Sequence, residues 1–370
     1  MPVTSKPVLR MGQWDGGGAV ANDREAASQM RVAEIDKIGA AVWDAFVLRE
    51  PTATFFHLSG WRRVVERVYG HRTHYLAAVQ NGVVTGVLPL VHVRSPLLGS
   101  ALISNAFCVG GGIAASEPAA IQQLAQAAIA LGQELNTSYI ELRSERAMLP
   151  DWHVKSDVYA GFRRPLALSE AENLKAIPRK KRADVRKSLK NGLRVDRSGD
   201  LDSFYRMYAE SVRNLGTPVF SKKFLAEICA VFGCDCEISV VHGDQGPVAG
   251  LVSFYFKDRV MPYYGAGSAG ARPTHAFDYL YWTQMLQAME RGAGVFDFGR
   301  SKYGTGAFNY KTFWGFEPEP LEYQYHLIGA RDVPNVNPLN PKYRLFVAAW
   351  QRLPLAVANR AGPWFARQLG

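Results

Sequence analysis

With 370 residues, of which 48% are hydrophobic and 21% charged, the chain has room for two domains with real cores, and its composition excludes a disordered or fibrous protein. The net charge is +10, and ten basic residues between positions 175 and 197 stand against only Asp184 and Asp196, so one segment carries most of the excess. A local basic element implies a local anionic partner: nucleic acid, a phosphorylated precursor or a membrane surface. Cys108, Cys229, Cys234 and Cys236 are too few for a disulfide scaffold. Cys229, Cys234 and Cys236 with His242 lack paired Cys-x-x-Cys units, so buried thiols are expected and no metal site. No signal-type apolar stretch opens the sequence and no run reaches the ~20 residues that span a bilayer, which points to the cytoplasm.

Taken in order, residues 1–30 are rich in Gly, Ala and polar residues and read as a disordered tail. A helical segment from Ile35 leads to the periodic stretch 61–69. Two β-rich runs, 73–79 and 83–93, flank Asn81-Gly82, a strong hairpin cue. A further strand near 102–109, an Ala/Leu helix over 118–135 and a strand at 139–143 follow. The same order returns about 160 residues later: a hairpin over 236–241 and 248–256, a strand at 260–265, a helix over 275–291 and a strand at 295–298. One-domain spacing indicates duplication rather than a solenoid. The expected units are 31–165, 166–330 and a tail 331–370, the second opening with a basic helix at 177–192. Pro178 suits the start of that helix and Asn191-Gly192 its stop. Arg179, Arg182, Arg186 and Lys190 fall on one face, with Lys187 beside them, either contacting a ligand or forming a solvated linker.

The stretch from Val295 to Phe316 is the most informative. A short strand holding Asp297 is expected to open into a glycine-rich loop with Arg300, Lys302, Gly304 and Gly306. Tyr310-Lys311 follows among aromatics. Strand end, permissive backbone and cations suit an anion-handling site. A tight turn beside an aromatic core is the alternative.

Asp297-Phe-Gly-Arg300, the glycines after it and Tyr310-Lys311 before Phe-Trp-Gly-Phe316 resemble the closing motif of Fem-type peptidyltransferases (FemAB-like), within the GNAT superfamily. Val185-Arg-Lys-Ser-Leu-Lys-Asn-Gly-Leu-Arg-Val195 is similar to the Arg-Lys-Ala-x-Lys-x-Gly-x-x-Val motif between the domains of that family. The resemblance implies an α/β fold of tandem GNAT-like domains, with mixed central sheets flanked by helices. It also implies that Lys311 steadies the acyl-transfer intermediate or the donor phosphate. Asn337-Pro-Leu-Asn-Pro-Lys-Tyr343 is similar to the exosortase and exopolysaccharide branch.

The expected activity is N-acyl transfer to an amine on a cell-wall or envelope-polysaccharide precursor. Amide formation needs alignment and oxyanion stabilisation rather than a covalent nucleophile, and no Gly-x-Ser-x-Gly elbow is present. Lys311 and Asp297 are the catalytic candidates. Arg300, Gly304, Gly306, Tyr310, Tyr264, Arg182, Arg186, Lys187 and Lys190 are the donor- or phosphate-binding ones. No resident cofactor is expected; aminoacyl-tRNA or acyl-CoA serves as co-substrate. The partners are an anionic nucleotide- or lipid-linked glycan precursor and tRNA. The acid-free, aromatic tail adds peripheral contact with the cytoplasmic face of the inner membrane, packing on the preceding domain being the alternative. A second enzyme reading is an acyl-CoA-dependent transferase in exopolysaccharide synthesis; a non-catalytic precursor-binding module is the reading outside enzymes.

Overall fold

The Asn-Gly cue folds as the alternation predicts. In the computed structural model β2 (Arg72–Gln80) and β3 (Val83–Ser95) are antiparallel neighbours, turning at Asn81 (φ 50°) and Gly82 (φ 77°). The structure describes residues 30–96, 99–333 and 344–369. The expected tail before Met30 and the 337–343 stretch lie outside the described residues.

Two mixed sheets flanked by helices make up the chain. The first runs β1 (Arg31–Glu34), β2, β3, β4 (Gly99–Ser104), β6 (Tyr139–Leu142), β15 (Tyr323–Leu327), β7 (His153–Lys155), with β5 (Ala114–Ala115) on β3. The second runs β14 (Pro318–Pro320), β8 (Tyr159–Pro165), β13 (Val295–Lys302), β12 (Arg259–Gly267), β11 (Gly246–Phe256), β10 (Cys236–Gly243), β9 (Arg194–Asp196). Each sheet contains one strand–helix–parallel strand unit. It is β4, helix Pro118–Glu134 and β6 in the first, and β12, helix Ala276–Glu290 and β13 in the second. This is the duplicated order seen in the sequence.

The sheets do not follow a cut between 165 and 166. Tyr159–Pro165 leaves the first half to pair with β13, while Tyr323–Leu327 returns to pair with β6 and β7. Each sheet therefore borrows a strand from the other half of the sequence. Two further expectations change. Arg300 and Lys302 belong to β13, which runs on to Lys302 instead of opening into a loop at Gly299. Gly306 starts helix Gly306–Phe313, whose cap is Thr305, its hydroxyl accepting from the Phe308 N–H.

One apolar core joins the halves, holding Trp43, Phe55 and Trp61 from the first and Phe204, Phe224 and Phe254 from the second. The Phe55 ring stacks on Phe254 at 4.6 Å. Helix Gly60–Tyr69 presses so closely on helix Lys222–Phe232 that a Cβ at Gly60 would lie 2.7 Å from Val231 Cγ1. A separate core on the outer face of the second sheet packs Trp282, Phe296, Phe298 and Trp314 under Ile177 and Val185 of the basic segment.

Candidate active site

The parallel pair β12–β13 is short. Its strands are in register only at Arg259↔Val295 and Val260↔Phe296. Beyond that point β12 stays bonded to β11 and β13 to β8, so a wedge opens between them. On the β8 side a bulge sets Asp297 opposite Arg163 and Arg300 opposite Gly161, leaving one extra residue on β13. Gly299 takes up the bend at φ 67°, a left-handed value that glycine adopts without the Cβ penalty. Strand alternation sends Phe296 and Phe298 into the outer core and Asp297 to the opposite face.

There a cavity of about 240 Å³ lies between the halves. The first half supplies Thr54–Phe56, Val109, Gly110, Ser144, Glu145 and, from β8, Arg163 to its wall; the second supplies Lys257, Tyr263, Asp297, Gly299 and Arg300. Most of its cations already have partners. Arg163 lies 2.9 Å from Glu145 and 2.8 Å from Glu319. Lys257 Nζ donates to the carbonyls of Glu50 (2.6 Å) and Ala53 (3.3 Å). Arg300 differs: its Nη1 donates to the Tyr323 hydroxyl at 2.6 Å and its guanidinium lies 4.2 Å over the Tyr159 ring. Among the described residues no carboxylate forms an ion pair with it. A planar, permanently charged fork held by two tyrosines is organised for an anion supplied from outside. Asp297 accepts the Gly299 N–H at 2.8 Å. Burial pushes its carboxyl above the usual range, against that hydrogen bond.

Lys311 stands behind the bulge rather than in the cavity wall. Its Nζ donates to the carbonyls of Gly299 (3.1 Å) and Arg300 (3.0 Å), with the Phe162 and Phe298 rings at 5.3 and 5.7 Å. Burial lowers its pKa to about 7. Asp297, Arg300 and Lys311 therefore meet at the bulge, as the sequence suggested, but Lys311 acts on the backbone that aims the other two.

Other candidates fall elsewhere. Tyr264 points into the shared core, where its hydroxyl has no hydrogen-bond partner. Its neighbour Tyr263 lines the cavity instead. Tyr310 donates to Asp278 at 3.0 Å, on the outer face. Gly304 is a turn residue at φ 73°. The basic helix, observed over Arg179–Ser188, lies on that outer face against helix Ala276–Glu290, away from the cavity. Arg182 folds back onto the carbonyls of Lys175 (2.7 Å) and Ile177 (2.9 Å). Arg186, Lys187 and Lys190 are exposed.

Sequence reasoning overlooked Lys181. Its side chain is tucked under the helix, 2.5 Å from Asp278, with the Tyr310 ring 4.7 Å away. Asp184, His275 and Asp278 bring ligand-type atoms within 4.8 Å of one another, but the Lys181 ammonium already sits among these carboxylates, 3.7 Å from Asp184. That makes the cluster an ion-pair clamp rather than a cation site. The turn before helix Ala276–Glu290 is also self-satisfied. The amides of Gly270, Ala271 and His275 donate within residues 268–275, so they form no free anion cradle.

The acetyltransferase (GNAT) domain family matches residues 179–312. Among solved structures, FemX is similar over 86% of this chain and 100% of its own, with TM-score 0.64 and 16% identity. The C-terminal domain (DUF2156) of a putative lysylphosphatidylglycerol synthetase from Agrobacterium fabrum covers 79% of this chain and 92% of its own, with TM-score 0.51 and 11% identity. A conserved protein of unknown function from Bacteroides thetaiotaomicron covers 81% and 100%, with TM-score 0.51 and 10% identity. No sequence among the curated proteins matches the chain. The domain match falls on the half that supplies the wedge, Asp297 and Arg300, and the structural likeness extends over both halves. Residues 179–312 thus match an acetyltransferase (GNAT) domain, and the chain as a whole has a tandem fold similar to that of FemX.

Proposed function

We propose that the protein transfers an aminoacyl group from an ester donor to an amine on an anionic envelope-glycan precursor. The observation that carries this reading is Arg300, a cavity guanidinium with no carboxylate partner among the described residues, in a wall shared with the desolvated carboxyl of Asp297. Arg300 anchors the acceptor's phosphate or carboxylate, which places the amine near Asp297. A carboxyl with a raised pKa is a better proton acceptor, so Asp297 takes the proton as the amine attacks the ester carbonyl and returns it to the donor oxygen as the ester C–O bond breaks, releasing the donor as its alcohol. Lys311 holds the Gly299 and Arg300 carbonyls and so keeps both groups aimed. Aligning two substrates can supply much of such a rate enhancement without a covalent intermediate.

The self-satisfied turn and acidic Asp278 at the start of helix Ala276–Glu290 disfavour a pyrophosphate there, which favours a tRNA ester over acyl-CoA. Exposed Arg186, Lys187 and Lys190 supply a phosphate-contacting face. Filter binding of aminoacylated tRNA over a salt series tests the donor. Affinity should fall steeply with salt. Replacing these three residues by alanine should reduce the log–log slope by about 3, roughly one per lost contact. Saturable acetyl-CoA binding with no tRNA retention at low salt would overturn the tRNA reading.

A further inference from the structure

After Asp332 the sequence holds five basic residues and no acidic one. Helices Arg344–Gln351 and Leu355–Leu369 fold against each other through ring contacts of Phe365 with Phe346 (5.6 Å) and Trp350 (5.4 Å). One side of the pair is fastened to the protein. Arg213 donates to the Leu353 carbonyl at 3.0 Å, Gln351 to that of Asn214 at 3.0 Å, and a His71 ring nitrogen lies 3.0 Å from the Arg367 carbonyl. Trp350, Ala358 and Ala366 are buried there.

Among the described residues nothing covers the other side. Leu345 is 85% exposed, Trp364 52% and Val357 48%, and Leu215, at the end of the adjoining helix Leu201–Asn214, is 72% exposed. Val357, Arg360, Trp364 and Arg367 share one helical face by spacing, and Arg352, Arg360 and Arg367 are exposed. No helix among the described residues is long and apolar enough to cross a membrane.

We infer that this helical pair lies flat on an anionic bilayer surface. Cations at its rim meet lipid phosphates, while Leu345, Val357 and Trp364 enter the headgroup–acyl boundary. The chemistry separates this occupant from the others. A nucleic acid would use the arginines and Trp364 but gain nothing from exposed aliphatic side chains. A second copy packed face to face would set an acid-free cationic surface against itself.

The test is co-sedimentation of the full chain with vesicles of phosphatidylcholine alone and of phosphatidylcholine with phosphatidylglycerol. Binding should require the anionic lipid and weaken with salt. Arg352→Glu with Arg360→Glu, both exposed positions, should lower partitioning about tenfold or more while leaving the melting temperature unchanged. Trp364→Ser should lower it as well. The inference is overturned if the unaltered protein stays in solution with anionic vesicles, or if the charge-reversed protein sediments equally well. It also fails if Trp364→Ser instead abolishes a dimer seen without lipid, because the face would then cover another copy. None of these readouts depends on transfer activity.

Discussion

Lys311 is a cation kept where charge is costly. Its pKa of about 7 lies below the ordinary 10.5, and burial is the main cause. Between those two values the folded chain binds fewer protons than the unfolded chain, so this residue makes stability rise with pH from about 7 towards 10.5. Below 7 the cost of charging it is fully present. In Lys311→Met that contribution disappears. Urea unfolding at about pH 7 and about pH 9.5 should show a smaller gain with pH for the Lys311→Met variant than for the unaltered chain. Equal gains would mean that the ammonium is not desolvated. Asp297 and Arg300 were legible in the sequence, because charged residues beside glycines at a strand end have few structural reasons to be there. Tyr264 was not, since the choice between it and Tyr263 depends on a register shift at Val252/Ser253 in the β11–β12 ladder, which pattern alone does not reveal. Lys181 looked like one of ten similar basic residues; only the packing of helix Ala276–Glu290 distinguishes it.

The basic helix illustrates how an element can be predicted correctly and read too uniformly. Pro178 marks its start, and Val185 and Ser188 face inward. Its charges then divide by job: Lys181 clamps, Arg182 folds onto carbonyls, and Arg186 and Lys187 stay in water. The clamp is a shielded pair, with side chains 11% and 7% exposed. Removing one partner strands the other charge, so Lys181→Met should cost about 3–5 kcal/mol in denaturant unfolding. Adding Asp278→Leu should recover most of that loss, because an apolar pair avoids the desolvation. A single-variant cost under about 1 kcal/mol would show that apolar packing alone docks the helix. The extension of β13 through Lys302 was hidden for a related reason. Gly299 looks like a strand breaker, whereas here it builds a bulge that continues the ladder with β8.

At the scale of the molecule, the duplication was visible as a recurring order of elements, but the strand exchange was not. Nothing local in Tyr159–Pro165 or Tyr323–Leu327 states which sheet each joins; that is settled by long-range pairing. The exchange has a thermodynamic consequence. β8 is the link between β13 and β14, and β15 that between β6 and β7, so neither sheet is complete without the other half. The shared core adds Phe55 on Phe254 and Phe56 on Tyr263, at 4.6 and 5.0 Å. Cutting the chain at 165/166 would expose two sheet edges and divide that core, and the separated halves should not fold alone. The intact protein should instead unfold in one transition despite its length, since the entropy of ordering each half is offset only by contacts with the other. Calorimetry measures this directly: the van 't Hoff and calorimetric enthalpies should agree, with tryptophan fluorescence and far-ultraviolet dichroism giving one midpoint. Two resolved transitions, or a soluble and cooperatively folded 31–165 fragment, would show that the halves are independent. The cavity would then be a contact between domains rather than a product of their joint folding.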